Sequence, residues 1–340
     1  MVWLEFAVCG ALILFSGSRL SQYGDMLAEK TGMGRTWIGI ILLATITSLP
    51  ELATGISAVT VAAAPNIAVG DVLGSCVFNL MLIGVIDLFY RPGPILSQVE
   101  QGNILAAGYG ILLIGIAALG LLLGAQEAIT WNLWFGPSTP IILVLYGIAI
   151  YMVFRFERNR MAAYVKAEAE ALKYGDVALQ TIYRKVIVHG GVVLGAGIWL
   201  PFIGIRIAEA TGWGTTFVGT LFVAASTSLP EIAISFAALR LGAPDLAIAN
   251  LFGSNLFNMA ILAIDDLFYA GGPLLSDVST NHLFSSIAAL IMTGIGITGL
   301  IYRARKKAMA VLSWSGAALL ILYLLNAYLL FTFGEGAIEK

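Results

Sequence analysis

The chain has 340 residues, of which 59% are apolar and only 11% charged. Soluble domains carry about 25% charged residues, so with a mean hydropathy of +0.92 most of this surface faces lipid. That excludes a secreted domain, a nucleic-acid binder and most soluble enzymes. Cys9 and Cys76 supply no disulfide framework, and His189 and His282 are too few and too far apart for a histidine metal cluster.

At roughly 30–35 residues per span and loop, the length suits ten membrane helices. The apolar stretches lie at 2–24, 36–62, 67–90, 102–124, 137–154, 186–208, 215–240, 245–268, 281–301 and 309–333. No Lys or Arg occurs before Arg19. A cleavable leader needs a basic start, so 2–24 reads as a retained span. Of the 18 basic residues, 16 follow odd-numbered spans; only Arg206 and Lys340 fall on the other side. Basic residues stay cytoplasmic, which predicts both termini outside in a multi-pass protein of the cell membrane. The one long polar connection, 155–185, is rich in Ala, Glu, Lys and Tyr and reads as an amphipathic linker helix on the cytoplasmic face. It divides a first five-helix unit, 1–154, from a second, 186–340.

The two units carry an internal repeat. LAEKTGMGRTWIGIILLATITSLPE at 27–51 aligns without a gap on IAEATGWGTTFVGTLFVAASTSLPE at 207–231, an offset of 180 residues. GDVLGSCVFN at 70–79 matches ANLFGSNLFN at 249–258, and DLFY recurs at 87–90 and 266–269. The repeated cores span about 36–90 and 215–268. The offset contains five crossings, an odd number, so the second copy enters the membrane from the opposite face. The fold class is therefore an all-α membrane protein of ten helices in two inverted five-helix repeats. Secondary transporters use this architecture and bind substrate near the midplane, where the halves meet.

Most acids lie near span ends or in loops, Asp25, Glu29, Glu100, Glu127, Asp265 and Asp277 among them. Glu51 and Glu231 fall near the middle of spans two and seven. A carboxylate there costs about 2.5–3.5 kcal/mol on the mildest scales, and both copies bear that cost. A pair of neutral glutamates bonded to neighbouring helices is the plain alternative to a shared cation site. Pro50 and Pro230 precede the glutamates, remove an N–H and clash with the carbonyl four residues back, at Ile46 and Ser226. The disturbed turns leave the carbonyls of Thr47 and Thr227 free to point off axis, beside the hydroxyls of Ser48 and Ser228. On spans three and eight, Ser75 and Asn79, and Ser254 and Asn258, are spaced to share one helix face, and Gly74 and Gly253 permit close helix approach. Every candidate ligand is an oxygen, the donor set of hard cations such as Ca²⁺, Na⁺ or Mg²⁺.

The paired TSLPE segments with their GSxxFN partners resemble the α-repeats of the cation/calcium antiporter superfamily, specifically the sodium/calcium exchanger branch of prokaryotic type, over essentially the whole chain. The resemblance implies exchange of Na⁺ for Ca²⁺ by alternating access, with spans one and six sliding against the other eight. It further implies Ca²⁺ held by Glu51, Glu231 and the carbonyls of Thr47 and Thr227. Na⁺ would use the same glutamates with Ser48, Ser228, Ser75, Ser254, Asn79 and the carbonyls of Ala44 and Ala224. Asn258 is a further polar candidate. Departures from the family pattern are Ile46 and Ser226 where Gly is usual, Cys76 where the family has Asn or Ala, and Asp71 where Asn is usual. Cys76 reads as a packing residue. Asp71 is either a third carboxylate lining the outer approach or a span-end residue touching water. Proton/calcium antiport on the same fold is the alternative, with the glutamates carrying protons. The remaining expectations are a monomer in membrane lipid, with Ca²⁺ and Na⁺ as its partners, no cofactor, no nucleic acid and no enzymatic activity.

Overall fold

A computed structural model describes residues 1–30, 45–99, 102–126, 133–165, 178–240, 242–309 and 311–333. Among these residues the regular structure is entirely helical. The principal helices are α1 (Val2–Lys30), α2 (Leu49–Thr60), α3 (Pro65–Phe89), α4 (Asn103–Gly124), α5 (Ser138–Val165) and α6 (Leu179–Thr211). They are followed by α7 (Thr215–Thr227), α8 (Leu229–Arg240), α9 (Pro244–Phe268), α10 (His282–Tyr302) and α11 (Trp314–Phe333).

Eight of the described helices are long and apolar enough to cross a membrane alone, and α7 with α8 makes a ninth, bent by 44° at Ser228. Ten crossings were expected; the first part of the second apolar stretch lies outside the described residues, which show of it only a turn at 45–47 and then α2. Of the polar stretch 155–185, residues 155–165 continue α5 without a break and 179–185 open α6, while 166–177 lie outside the described residues.

α3 and α9 form the centre and are buried along most of their length, while α1, α5 and α11 are mostly exposed. Their outward side chains, such as Leu12, Val144, Ile148, Leu324 and Phe331, are the large apolar groups that a bilayer solvates. Both central helices begin on proline, Pro65 and Pro244, whose missing N–H costs nothing in a first turn. The residue two before each proline takes a left-handed backbone, Ala63 at φ 49° and Gly242 at φ 73°. The first copy thus keeps a side chain where the second uses the residue that adopts this backbone freely.

Helix directions follow from the contacts. Thr47 lies by Ser254, and Gly55, further along α2, lies against Asp265, further along α9. α2 and α9 therefore run the same way. So do α3 and α7: Ile67 meets Gly219 and Gly74 meets Ala224. Gly70 and Gly74 face the backbone of Gly219 and Thr220 so closely that a Cβ on either would collide with it.

α1 and α6 flank this centre and cross the two proline breaks on glycine. A Cβ on Gly17 would stand 2.5 Å from Pro230 Cγ, and one on Gly197 would stand 3.0 Å from the Pro50 carbonyl. These glycines are 180 residues apart, the same offset as the prolines they cover. Thr54 and Ser57 donate to the carbonyls of Gly197 and Ile198 at 3.2 and 2.8 Å, tying α2 to α6. Arg206, basic on the side where such residues are scarce, is ion-paired with Glu5 of α1.

The DLFY motifs explain themselves as anchors. Asp87 accepts the N–H of Ile95 at Oδ1 (2.8 Å) and of Ser313, just before α11, at Oδ2 (2.7 Å). Asp266 accepts the N–H of Leu274 at Oδ1 (2.6 Å) and of Gly136, just before α5, at Oδ2 (2.7 Å). Each carboxylate fixes where the last helix of the other half begins. Asp87→Asn puts an amide donor against one of those N–H groups. It is expected to cost about 1–3 kcal/mol, read as a lower thermal midpoint in detergent, and an unchanged midpoint would show that the anchor contributes nothing.

Candidate functional site

Both helical breaks place a glutamate in the first turn of a new helix in mid-molecule. α2 starts at Leu49 with Glu51 in its first turn, and α8 starts at Leu229 with Glu231 in its first turn. The cause is local: a proline one residue before each glutamate cannot donate to the turn behind it, and the chain restarts as a helix whose N-terminal N–H groups favour negative charge. The preceding segments end at Thr47 and Thr227, where carbonyl ends carry the opposite partial charge. A carboxylate and a carbonyl terminus therefore converge at each break.

The two breaks meet, and they exchange partners. Ser48 donates to Glu231 Oε1 at 3.3 Å, and Ser228 donates to Glu51 Oε1 at 3.1 Å. From the central helices, Ser75 donates to Glu51 Oε1 at 3.4 Å and Ser254 to Glu231 Oε1 at 3.3 Å. Thr47 Oγ1 lies 3.5 Å from Ser254 Oγ, and Thr227 Oγ1 lies 3.5 Å from Ser75 Oγ. Each copy of the repeat thus completes the other copy's site. All eight side chains are buried.

What these bonds leave over is the informative part. Among the described residues, the second oxygen of each glutamate, Oε2, has no partner, and neither does Oδ1 of Asn79 or of Asn258. The amide groups of the two asparagines are engaged elsewhere: Asn79 Nδ2 donates to Asn255 Oδ1 at 3.0 Å, and Asn258 Nδ2 contacts Cys76 Sγ at 3.9 Å. Four acceptor oxygens, in two pairs related by the repeat, remain buried without a donor. Such atoms cost free energy unless something positive meets them. An all-oxygen set with two negative charges matches a hard cation.

Asn255 is a member of this centre that the motif spacing did not single out. It occupies the position of Cys76 in the other copy, and its amide bridges Asn79 and Cys76: Oδ1 accepts from Asn79 Nδ2, and Nδ2 donates to the Cys76 carbonyl at 3.1 Å. The departure at Cys76 was the available signal, because a polar residue in only one copy of a duplicated site pairs across to the other. Cys76 itself is fully buried and packs against the Asn255 carbonyl.

Asp71 is buried, so the reading of it as a span-end residue in water is corrected. Its Oδ1 accepts from Thr227 Oγ1 at 2.8 Å. Asp265, read as a span-end acid, is also fully buried, because its helix packs against α2 up to that level. Ala224 is buried where α7 meets α3, and its carbonyl accepts the Ser228 N–H at 3.0 Å. Ala44, its counterpart, lies outside the described residues.

Comparison with known proteins agrees with this geometry. The family model described as "Sodium/calcium exchanger protein" matches residues 1–165 and 191–334. The chain belongs to that family. It is 29% identical to Sodium/calcium exchanger MaX1 of Methanosarcina acetivorans, covering 97% of this chain and 99% of the relative. It is 26% identical to Inner membrane protein YrbG of Escherichia coli, covering 82% and 85%. Among solved structures, the sodium-calcium exchanger NCX_Mj shares the fold at a TM-score of 0.58 and 21% identity, covering 96% of this chain and 98% of that one. The H⁺/Ca²⁺ exchanger CAX shares it at 0.68 and 12% identity, covering 98% and 85%. The chain is accordingly a membrane protein of an exchanger family.

Replacing Asn255 by Leu removes the acceptor of Asn79 Nδ2 and the second donor to the Cys76 carbonyl, which keeps its bond within α3. The expected result is a loss of about 1–3 kcal/mol in stability together with weaker cation binding, measured by thermal unfolding and titration calorimetry on one preparation. Unchanged cation affinity would remove Asn255 from the centre.

Proposed function

We propose that the protein is a secondary antiporter of the cell membrane that exchanges Na⁺ for Ca²⁺ by alternating access, binding both at the glutamate pair. The observation that carries this reading is the reciprocal cage, in which two buried carboxylates each keep one oxygen free beside an equally free asparagine oxygen. Two negative charges are balanced by one Ca²⁺, or by Na⁺ ions using the neighbouring hydroxyls of Ser48, Ser75, Ser228 and Ser254. Ca²⁺ would take Glu51 and Glu231 with the carbonyls of Thr47 and Thr227; Na⁺ would add the serines, Asn79, and the carbonyls of Ala44 and Ala224. Asn258 and Asp71 complete the polar lining. Since one set of oxygens serves both ions, loading by one excludes the other, and that exclusion couples the two fluxes.

The architecture proposed is ten crossings in two inverted five-helix units, 1–154 and 186–340, joined through 155–185. The shared direction of α2 and α9, and of α3 and α7, supports inversion: consecutive helices of a hairpin are antiparallel, so α2 and its counterpart α8 then run oppositely. With basic residues cytoplasmic, both termini lie outside. α1 and α6 are the elements suited to move. Each crosses a proline break on a glycine, where a smooth backbone permits sliding, and each exposes much of its length to lipid. A monomer suffices, because one chain supplies the whole cage. The exchangers among its relatives transport ions, and the chemistry assembled here is ion binding with no cofactor and no bond-making step.

The second reading, exchange of H⁺ for Ca²⁺, is favoured by the fold-level likeness to CAX; the same glutamates would then carry protons. Uptake of radioactive Ca²⁺ into proteoliposomes separates the two. With Na⁺ loaded inside, uptake is expected, and Glu51→Gln and Glu231→Gln each reduce it to the level of protein-free vesicles. Uptake driven by a pH gradient alone would replace Na⁺ by H⁺ as the coupling ion, and uptake indifferent to both gradients would overturn antiport.

A further inference from the structure

The buried acids do not stop at the glutamates. Asp265 is fully buried with neither carboxylate oxygen partnered among the described residues, and Asp71 has one oxygen without a partner among them. Asp265 rests against the backbone of Gly55, where any Cβ would run into its carboxylate. Gly55 is four residues after Glu51 on α2, one helical turn of about 5.4 Å along the same face. Asp71 is four residues before Ser75, the α3 hydroxyl that serves Glu51, and therefore one turn along α3. The end of α2 and the start of α3 are joined by the turn at 61–64, so both displacements lead toward that turn. Asp71 and Asp265 thus lie on one side of the glutamate pair. Asp71 is also near enough for its charge to bear on Asp265, as it does on Glu51. Asp266 is committed to backbone N–H groups; Asp265 has no hydrogen-bond partner among the described residues.

The other half shows that this is not a consequence of duplication. The positions matching Asp71, Gly55 and Asp265 are Asn250, Ser235 and Ile86. They are buried or nearly so, and none can carry charge. A folded protein has no structural use for a second pair of buried acids on one side alone, and each would be costly there without a counter-charge.

We infer that Asp71 and Asp265 form a second cation position, one helical turn from the glutamate pair on the side of the 61–64 turn, through which hard cations reach that pair from this face only. Gly55 makes room for it, since any larger residue would displace the Asp265 carboxylate. Carboxylate oxygens without other donors take Ca²⁺ or Na⁺ in place of its water, so the ion is partly dehydrated before it reaches Glu51. By the distribution of basic residues this face is the outer one. The role in transport rests on the antiport reading; the binding of a cation by the pair does not.

Two measurements test it. Titration of Ca²⁺ by calorimetry into the purified Glu51→Gln/Glu231→Gln chain is expected to show one residual, weaker site, which Asp265→Asn added to that background abolishes. No residual site, or a site indifferent to Asp265→Asn, overturns the proposal whether or not the wild type exchanges ions. In oriented vesicles of the chain with both glutamates intact, Asp265→Asn is expected to raise the KM for Ca²⁺ about tenfold, as loss of a ligand charge does, at the face of the 61–64 turn alone. Equal shifts at both faces, or none, overturn the sided role. Asp71→Asn, which keeps shape and hydrogen bonding to Thr227, gives the same two readouts if Asp265→Asn does not fold.

Discussion

Two carboxylates held at membrane depth are the constraint on which the rest of the molecule depends. Lipid offers them neither water nor counter-ions, so everything that makes Glu51 and Glu231 tolerable has to come from the chain itself. The chain answers with helix N-termini at Leu49 and Leu229, with hydroxyls donated across the interface between the repeats, and with close packing of α2, α3, α8 and α9 that brings those hydroxyls within reach. Only part of this is available within a single copy, where the helix N-terminus and Ser75 or Ser254 serve that copy's own glutamate. Ser48 has its carboxylate on α8 and Ser228 has its own on α2. The two halves are thus obliged to associate in one relative placement, and the anchors at Asp87 and Asp266 reach from each half to the helix that ends the other.

The compensation is deliberately incomplete. One oxygen of each glutamate is bonded and one is not, and the asparagine amides are turned to Asn255 and Cys76 so that their carbonyl oxygens face no donor. A scaffold would gain by closing these bonds. Under the proposed exchange, a site that must release its ion gains by leaving them open, since an empty cage that satisfied itself fully would not rebind. The proline breaks serve the same end, because they expose carbonyl termini beside the carboxylates while giving the flanking helices α1 and α6 a narrow crossing on glycine. In the antiport proposed above, binding chemistry and the means of motion therefore come from the same two residues in each copy, the proline and the glutamate that follows it.

Symmetry governs the centre and fails on the flank. At the midpoint, each bond from a serine hydroxyl to a glutamate in one copy has its counterpart in the other, with lengths that agree to within a few tenths of an ångström. One turn away, acids stand on one side and neutral residues on the other. The duplicated cage is alike toward both faces, whereas Asp71 and Asp265, with no acidic counterpart in the other copy, make its two flanks differ.

How much of this was readable in advance depended on distance along the chain. Composition, span periodicity and the distribution of basic residues determined an all-helical membrane protein, because lipid imposes one requirement on every segment separately. The duplication, the two central glutamates, their prolines and the serines and asparagines spaced to face them were also legible, since a helix turns a spacing of four into a shared face without reference to anything else. The partner of each group was not. That Ser48 serves Glu231, that Asn255 holds Asn79, that Asp265 lies against Gly55 and that Arg206 is neutralised by Glu5 all join residues from different halves. Such contacts arise only when helices distant in sequence pack, and no local pattern encodes which faces will meet. Burial followed the same rule: Asp71 and Asp265 sit near span ends by sequence, and only the neighbouring helices decide that they are shielded from water.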